Sequence, residues 1–237
     1  MDQRLARVKE MLGLRRLPIK IAFLDAPPGG LPRWSEGMVP SGCVFWDRAM
    51  DGKSFYTVPA DHWNCAIGSY THKIRLPADR AAELEDTIGF MIETRYLDPA
   101  EVPGIPALER EPAAVAYAPA TSDAFAADVV LLSITPVQAT LVFEAGLKAG
   151  VSKGSASAFS RPSCAILPLA AKTEMMALSF GCSGNRTFTR VRDDEMYVSI
   201  PGPKWDEVLD RLIEVQRSNL TMANYYRAQR EKISPPR

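Results

Sequence analysis

Apolar positions along the chain alternate between two periods, and each period predicts an element. In residues 2–14, Leu5, Val8, Met11 and Leu12 recur at helical spacing, which predicts an amphipathic helix. Pro18–Leu24 reads as a first strand, followed by a turn at Pro27-Pro28-Gly29-Gly30 and an irregular loop through Pro40. A short helix is expected from Cys43 to Met50, ended by Asp51-Gly52. Ser54–Val58 reads as a second strand that delivers Asp61-His62-Trp63-Asn64-Cys65. From Pro77 to about Tyr96, Leu84, Ile88, Met91 and Ile92 share one face of a helix.

The proline-rich stretch after that helix is the best place for an internal boundary, near 97–112, in a chain otherwise read as a single domain over 1–237. Two strands follow, Ala113–Tyr117 and Asp128–Ile134, the second so continuously apolar that burial on both faces is expected. Pro136 opens a helix at its favoured first-turn position and Gly150 ends it. Residues 151–160 are small and polar and read as a loop, and Cys164–Ala171 as a short apolar helix or turn. Met175–Phe180 is expected as a strand, then a loop at Cys182, then a hairpin of Thr187–Arg192 and Met196–Ile200 around Asp193-Asp194. A closing helix from Pro203 to about Lys232 turns Trp205, Val208, Leu212 and Val215 inward, and residues 234–237 read as a frayed tail. Strands and helices mix without strict alternation, so the expected class is α+β, a mixed β-sheet with flanking helices. There is a loose two-fold rhythm, each half running strand, helix, cysteine loop, but the residues around the cysteines do not repeat.

Composition narrows the function. The chain has 237 residues, 46% of them hydrophobic, and Lys+Arg balances Asp+Glu at 28 each. Zero net charge argues against general nucleic-acid binding, which needs a basic surface. No apolar run has the length of a membrane span, and the first residues lack the apolar core of a secretory signal. A soluble cytoplasmic protein is expected, a compartment where thiols stay reduced. The four cysteines then stand for buried thiols, a metal site or redox chemistry.

Their settings carry the candidate chemistry. Cys182 lies between Gly181 and Gly184, with Asn185 and Arg186 at the same mouth. Cys43 follows Ser41-Gly42, Cys65 precedes Gly68, and Cys164 follows Arg161-Pro162-Ser163. Cys43 and Cys65 are 22 positions apart, Cys164 and Cys182 are 18 apart, and there is no C-x-x-C pair. Glycine-flanked loops let backbone approach a sulfur and donate to it, as iron–sulfur ligation requires. Four thiolates also suit a closed zinc site. The plain alternative is a set of small buried hydrophobes. His62, three positions before Cys65, is a candidate ligand or substrate contact, or a core histidine. Asn185 and Arg186 are candidate substrate contacts, Arg186 through its planar fork, with a structural ion pair equally open. No G-x-S-x-G, phosphate-binding loop or G-x-G-x-x-G motif occurs. Asp193-Asp194-Glu195 reads as a charged turn and Met175-Met176 as core.

From Pro18-Ile19-Lys20-Ile21 to Ile200-Pro201 the chain resembles the domain-of-unknown-function 169 family of bacteria and archaea. The resemblance rests on the Cys43 segment with Ala49 and Phe55-Tyr56, then Asp61-His62 with Cys65 and Gly68. It continues through Asp128-Val129-Val130 with Pro136 and Gln138, and through Arg161-Pro162-Ser163-Cys164. Gly181-Cys182-Ser183-Gly184-Asn185-Arg186 and Asp194-Glu195 complete it. Cysteines are typical of the family at all four positions; here the glycine after the second is delayed to Gly68, with Ala66-Ile67 between. The resemblance implies that the thiols act as a set, and supplies no reaction.

Two readings follow. In the first, Cys43, Cys65, Cys164 and Cys182 hold a metal, an iron–sulfur cluster before zinc, for electron transfer or redox chemistry on a small molecule near Arg186, Asn185 and His62. Its partners are that molecule or a redox protein. In the second, a metal-free enzyme or binding protein uses Cys182 as a reactive thiol, favoured by backbone donors and Arg186. A zinc-stabilised structural or partner-binding module is a third reading.

Overall fold

The computed structural model describes residues 3–153, 157–159 and 161–233. Part of the 151–160 loop and the tail expected to fray at 234–237 lie outside the described residues.

A single mixed sheet of seven strands forms the centre, in the order β2-β3-β1-β4-β7-β6-β5. Its strands are β1 (Ile19–Leu24), β2 (Phe55–Thr57), β3 (Ala114–Pro119), β4 (Val129–Ile134), β5 (Ser157–Phe159), β6 (Ala177–Ser179) and β7 (Met196–Pro201). Neighbours pair antiparallel except β5 with β6. Helices cover both faces, so the class is α+β as expected. β4 is buried along its whole length although its neighbours β1 and β7 run antiparallel to it. Helices above and below the sheet, rather than parallel pairing, account for that continuous apolar run.

Alternation along the strands sorts the core into two sets. Val130, Leu132 and Ile134 of β4 and Val198 and Ile200 of β7 face one side. There they meet α1 (Gln3–Leu12), α5 (Pro136–Lys148) and α8 (Trp205–Ile233) through Leu5, Val8, Val142, Val208, Leu209 and Leu212. Helix α5 starts where the sequence placed it. Thr135 accepts from the Gln138 N–H at 3.4 Å, and the Gln138 side chain accepts from the Thr135 N–H at 2.7 Å, a reciprocal cap around Pro136. The same Gln138 side chain donates to the Leu12 carbonyl at 2.7 Å, tying the end of α1 to the start of α5.

On the other side Ile19, Ile21, Val129, Leu131, Tyr117 and Tyr197 meet α2 (Cys43–Met50) and α6 (Ile166–Thr173). Aromatic contacts fix α2 there. Phe45 meets Trp34 edge-on at 5.2 Å and Trp46 meets Tyr197 edge-on at 5.3 Å. Two shorter helices, α3 (Ala66–Thr71) and α7 (Ser183–Phe188), and the longer α4 (Ala78–Glu93) lie on this side of the chain's path.

Two sequence expectations change. Thr187–Arg192 is not the first strand of a hairpin: Ser183–Phe188 is a helical turn, and β7 pairs with β4 and β6 instead. The Thr187 and Thr189 hydroxyls donate to the carbonyls of Ser183 and Asn185 at 2.8 Å each, satisfying the helical turn, while the Arg190 guanidinium pairs with Asp47 on α2 at 2.7 Å. Residues 157–159, expected in a loop, form the edge strand β5, because the extended β6 beside them offers a ladder.

Candidate functional site

All four cysteines line one cavity of about 490 Å³ on the aromatic side of the sheet. Each stands at the entrance to a helix. Cys43 is the first residue of α2, Cys65 and Cys182 directly precede α3 and α7, and Cys164 lies in the single 3₁₀ turn Ser163–Ala165 that leads into α6.

Serines fasten the cysteine loops to one another. Ser41, two residues before Cys43, contacts the Cys65 sulfur at 3.7 Å. Ser163, the neighbour of Cys164, accepts a hydrogen bond from the Cys182 N–H at 2.6 Å. Each pair of cysteines distant in sequence is thus joined by a serine beside its first member. The remaining geometry is set by glycines. Gly181 holds φ +84°, which turns the chain into α7 at Cys182. A Cβ at Gly68 would meet the Cys65 sulfur at 2.7 Å, so the glycine delayed by Ala66-Ile67 still serves to leave room for that sulfur.

Burial governs the charge of the thiols. It pushes Cys43 up to about 12, with the neighbouring Cys65 and Cys182 adding to the rise and Asn185 and Ser41 opposing it. Cys164 is likewise raised, first by burial and then by Cys43 and Cys65. Both are therefore neutral thiols near pH 7 without a cation beside them. Asn185 sits at the same cavity, 1% exposed; among the described residues neither atom of its amide has a hydrogen-bond partner of normal length, although it stands close enough to Cys43 and Tyr197 to favour their ionised forms as a hydrogen-bonding group. A buried amide left unpaired is costly, and points to an acceptor or donor that a bound group would supply.

The outer wall comes from α4 and the turn that follows. Met91, Leu97 and Ile105 line the cavity together with Phe159 and Phe188. Asp98 and Glu101 cap the Pro99–Gly104 turn: Asp98 accepts from Ala100 at 2.9 Å, and Glu101 accepts from the Asp98 N–H at 3.2 Å. Glu101 also receives the Arg161 guanidinium at 2.9 Å, and Arg161 lies over the Tyr96 ring at 5.2 Å. The Tyr96 hydroxyl accepts from the Ser183 N–H at 3.4 Å. The wall is thus anchored to both the Cys164 and the Cys182 loops.

Of the other residues singled out in the sequence, Asn185 reaches the cavity and two do not line it. His62 is buried below, sharing a 2.7 Å hydrogen bond with the Thr57 hydroxyl, which pins the turn before Cys65 to β2. Burial, and then the nearby His72, pulls its pKa down to about 3, so it is neutral. Arg186 spends its guanidinium on backbone carbonyls, giving Phe180 and Glu195 hydrogen bonds of 3.0 Å each and Arg192 one of 3.1 Å. Arg161, Glu101 and Tyr96 were not legible as site residues. Arg161 and Glu101 are 60 positions apart, and only the Asp98–Glu101 capping signature marks the turn that carries the latter.

Residues 7–211 match a family described as Uncharacterised ArCR. The chain belongs to the domain-of-unknown-function 169 family. All four cysteines, Arg161 and Asn185 fall inside the matched region. No curated protein and no solved structure matches the chain.

The donor set can be tested against the metals it suggests. Among the described residues, no three His, Cys, Asp or Glu side chains are gathered closely enough for a single ion. Zinc bonds thiolates at about 2.3 Å, which brings four sulfurs to within about 4 Å of one another. The four cysteines here line one cavity of about 490 Å³ without forming such a group among the described residues. The residues that would hold a polynuclear cluster are these four cysteines, with the Asn185 amide at the same cavity as a group that would donate to cluster sulfur.

Proposed function

We propose that the four-cysteine cavity is the seat of an iron–sulfur cluster and that the protein serves electron transfer or redox chemistry on a small molecule in the cytoplasm. The observation that carries this reading is the convergence of Cys43, Cys65, Cys164 and Cys182, from four separate loops, on one cavity with an orphaned buried amide. When bound, the cluster supplies a reversible electron store at the cavity floor.

The chain's own residues prepare that floor. Cys43 and Cys164, held as thiols by burial, release their protons on ligation, so loading is favoured by higher pH. Asn185 is in place to donate to an anionic group beside Cys43. Phe45, Tyr117 and Tyr197 keep water from the sheet side, which strengthens electrostatic interaction inside the site. The wall of Met91, Leu97 and Ile105 limits approach from outside to molecules that fit the opening.

The metal-free alternative, with Cys182 as nucleophile, keeps the backbone setting but loses one of its expected supports. The Arg186 guanidinium is committed to carbonyls and does not line the cavity. The test is the visible spectrum of protein purified and reconstituted without oxygen, before and after dithionite. Broad thiolate-to-iron absorbance that bleaches on reduction supports the cluster. A folded, colourless protein that takes up no iron and is inactivated by alkylation at Cys182 supports the alternative.

A further inference from the structure

The outer cavity carries charge that the thiol floor does not need. Among the described residues its lining holds one cation and one carboxylate, Arg161 and Glu101, within walls otherwise mainly apolar. Their pairing is incomplete. Both Glu101 oxygens lie on the same Arg161 nitrogen, Nη2, at 2.9 and 3.1 Å, while Arg161 Nε is buried with no hydrogen-bond partner among the described residues. A guanidinium is at its strongest when two of its nitrogens grip one carboxylate. Here Arg161 lines the cavity braced on the Tyr96 ring, with Nε covered and its donor unused.

We infer that this part of the cavity binds a small carboxylic acid with an apolar body, its carboxylate on Arg161 and its body against Met91, Leu97, Ile105, Phe159 and Phe188. The whole cavity, the thiols included, is about 490 Å³, within the roughly 300–1,000 Å³ usual for small-molecule sites, and the acid takes the part of it away from the thiols. An incoming carboxylate displaces Glu101 from Nη2 and, as the guanidinium turns toward it, takes the covered Nε as well. Glu101 keeps its hydrogen bond from the Asp98 N–H, so the turn remains capped while the ion pair exchanges. Glu101 thereby acts as a placeholder anion, holding Arg161 in position and weakening binding of any acid that cannot replace it. The inference names the substrate class of the centre proposed above and rests on that reading for its redox role, while the binding itself does not require the cluster.

The probe pair is phenylacetate and its neutral isostere phenylacetamide, titrated by calorimetry into the full chain as isolated without oxygen, with iron measured on the same samples. The acid is expected to bind about tenfold or more tighter than the amide, as a charge-assisted hydrogen-bond pair implies. Arg161→Gln is expected to abolish that preference, and Glu101→Gln, which frees the guanidinium, to tighten the acid without tightening the amide. Equal affinities for acid and amide, absence of binding, or a preference that survives Arg161→Gln would overturn the inference. Should Arg161→Gln fail to fold, unchanged or weaker acid binding by Glu101→Gln overturns it alone. Iron without acid binding removes this site and leaves the centre; acid binding on a chain that takes up no iron removes the centre and leaves this site.

Discussion

The sheet separates two unlike faces. On one, α1, α5 and α8 close over Val130, Leu132, Ile134, Val198 and Ile200, an aliphatic seam completed by Trp205. No orphaned buried side-chain atom among the described residues belongs to those three helices. On the other face, α2 and α6 hold an aromatic cluster, and beside it lie the cysteines, the buried His62 and His72, and the unpaired groups of Asn185, Arg161 and His72. A chain that satisfies its polar groups on one side and leaves them unpaired on the other separates stability from function. The closed face makes the fold, and the open face keeps a cavity and tolerates its cost.

The contrast breaks most visibly under truncation. Leu209→Ala, at a fully buried position of the closed face, is expected to cost about 2–5 kcal/mol in denaturant unfolding. Iron bound per folded chain should not change. Cys43→Ser is expected to do the reverse, losing iron with a smaller change in the stability of the metal-free chain. If Leu209→Ala removes iron from still-folded protein, the two faces are not separable.

Acid distinguishes the faces next, through the buried histidine. His62 is pulled from its ordinary value of 6.5 to about 3. The unfolded chain takes up this proton below pH 6.5 and the folded chain resists until about pH 3. Stability is therefore fully present above 6.5 and lost as pH falls through that window, by at most roughly 1.4 kcal/mol per pH unit. Urea midpoints measured between pH 7 and pH 4 should fall less steeply in His62→Gln than in the wild type.

Two changes at the cavity follow in size. In a helix alanine is ordinarily favoured over glycine, but the Gly68→Ala methyl would meet the Cys65 sulfur. A loss of about 1–3 kcal/mol and weakened iron retention are expected. A stabilised variant with full iron would contradict the role given to Gly68. Asn185→Ala should change the stability of the metal-free chain by no more than about 1 kcal/mol, because the amide it removes is unpaired. It should nonetheless shorten the life of the loaded centre in air. A large loss of stability without metal would show that the amide is paired after all.

Much of the closed face was legible in sequence because local signals and tertiary packing agree there. Thr135, Pro136 and Gln138 announce α5, and the continuous run of β4 announces burial on both sides. Helix α2 was legible to the residue, since Gly52 at φ +98° ends it and its apolar residues keep one period. The open face was legible in its chemistry but not its architecture. The four cysteines were visible as a set of glycine-flanked thiols, whereas their loops are joined by Ser41 and Ser163, whose partners are distant in sequence. Thr187–Val191 carries β-type residues, and the helical turn that ends at Phe188 is held by hydroxyl bonds to its own carbonyls and by the Arg190–Asp47 pair beyond it. Local propensity misleads where long-range polar contacts set the backbone. Arg186 looked like the site arginine because it neighbours Cys182, yet Arg161 faces the cavity.

The central claim is that four thiols from four loops act as one ligand set. It is tested most directly by iron and acid-labile sulfide per chain, measured anaerobically on the wild type and on Cys43→Ser, Cys65→Ser, Cys164→Ser and Cys182→Ser. The account predicts roughly four irons and as many sulfides in the wild type, and a depleted or unstable cluster in every one of the four variants. A folded wild type that takes up neither, or full occupancy surviving any two of the single replacements, would contradict it.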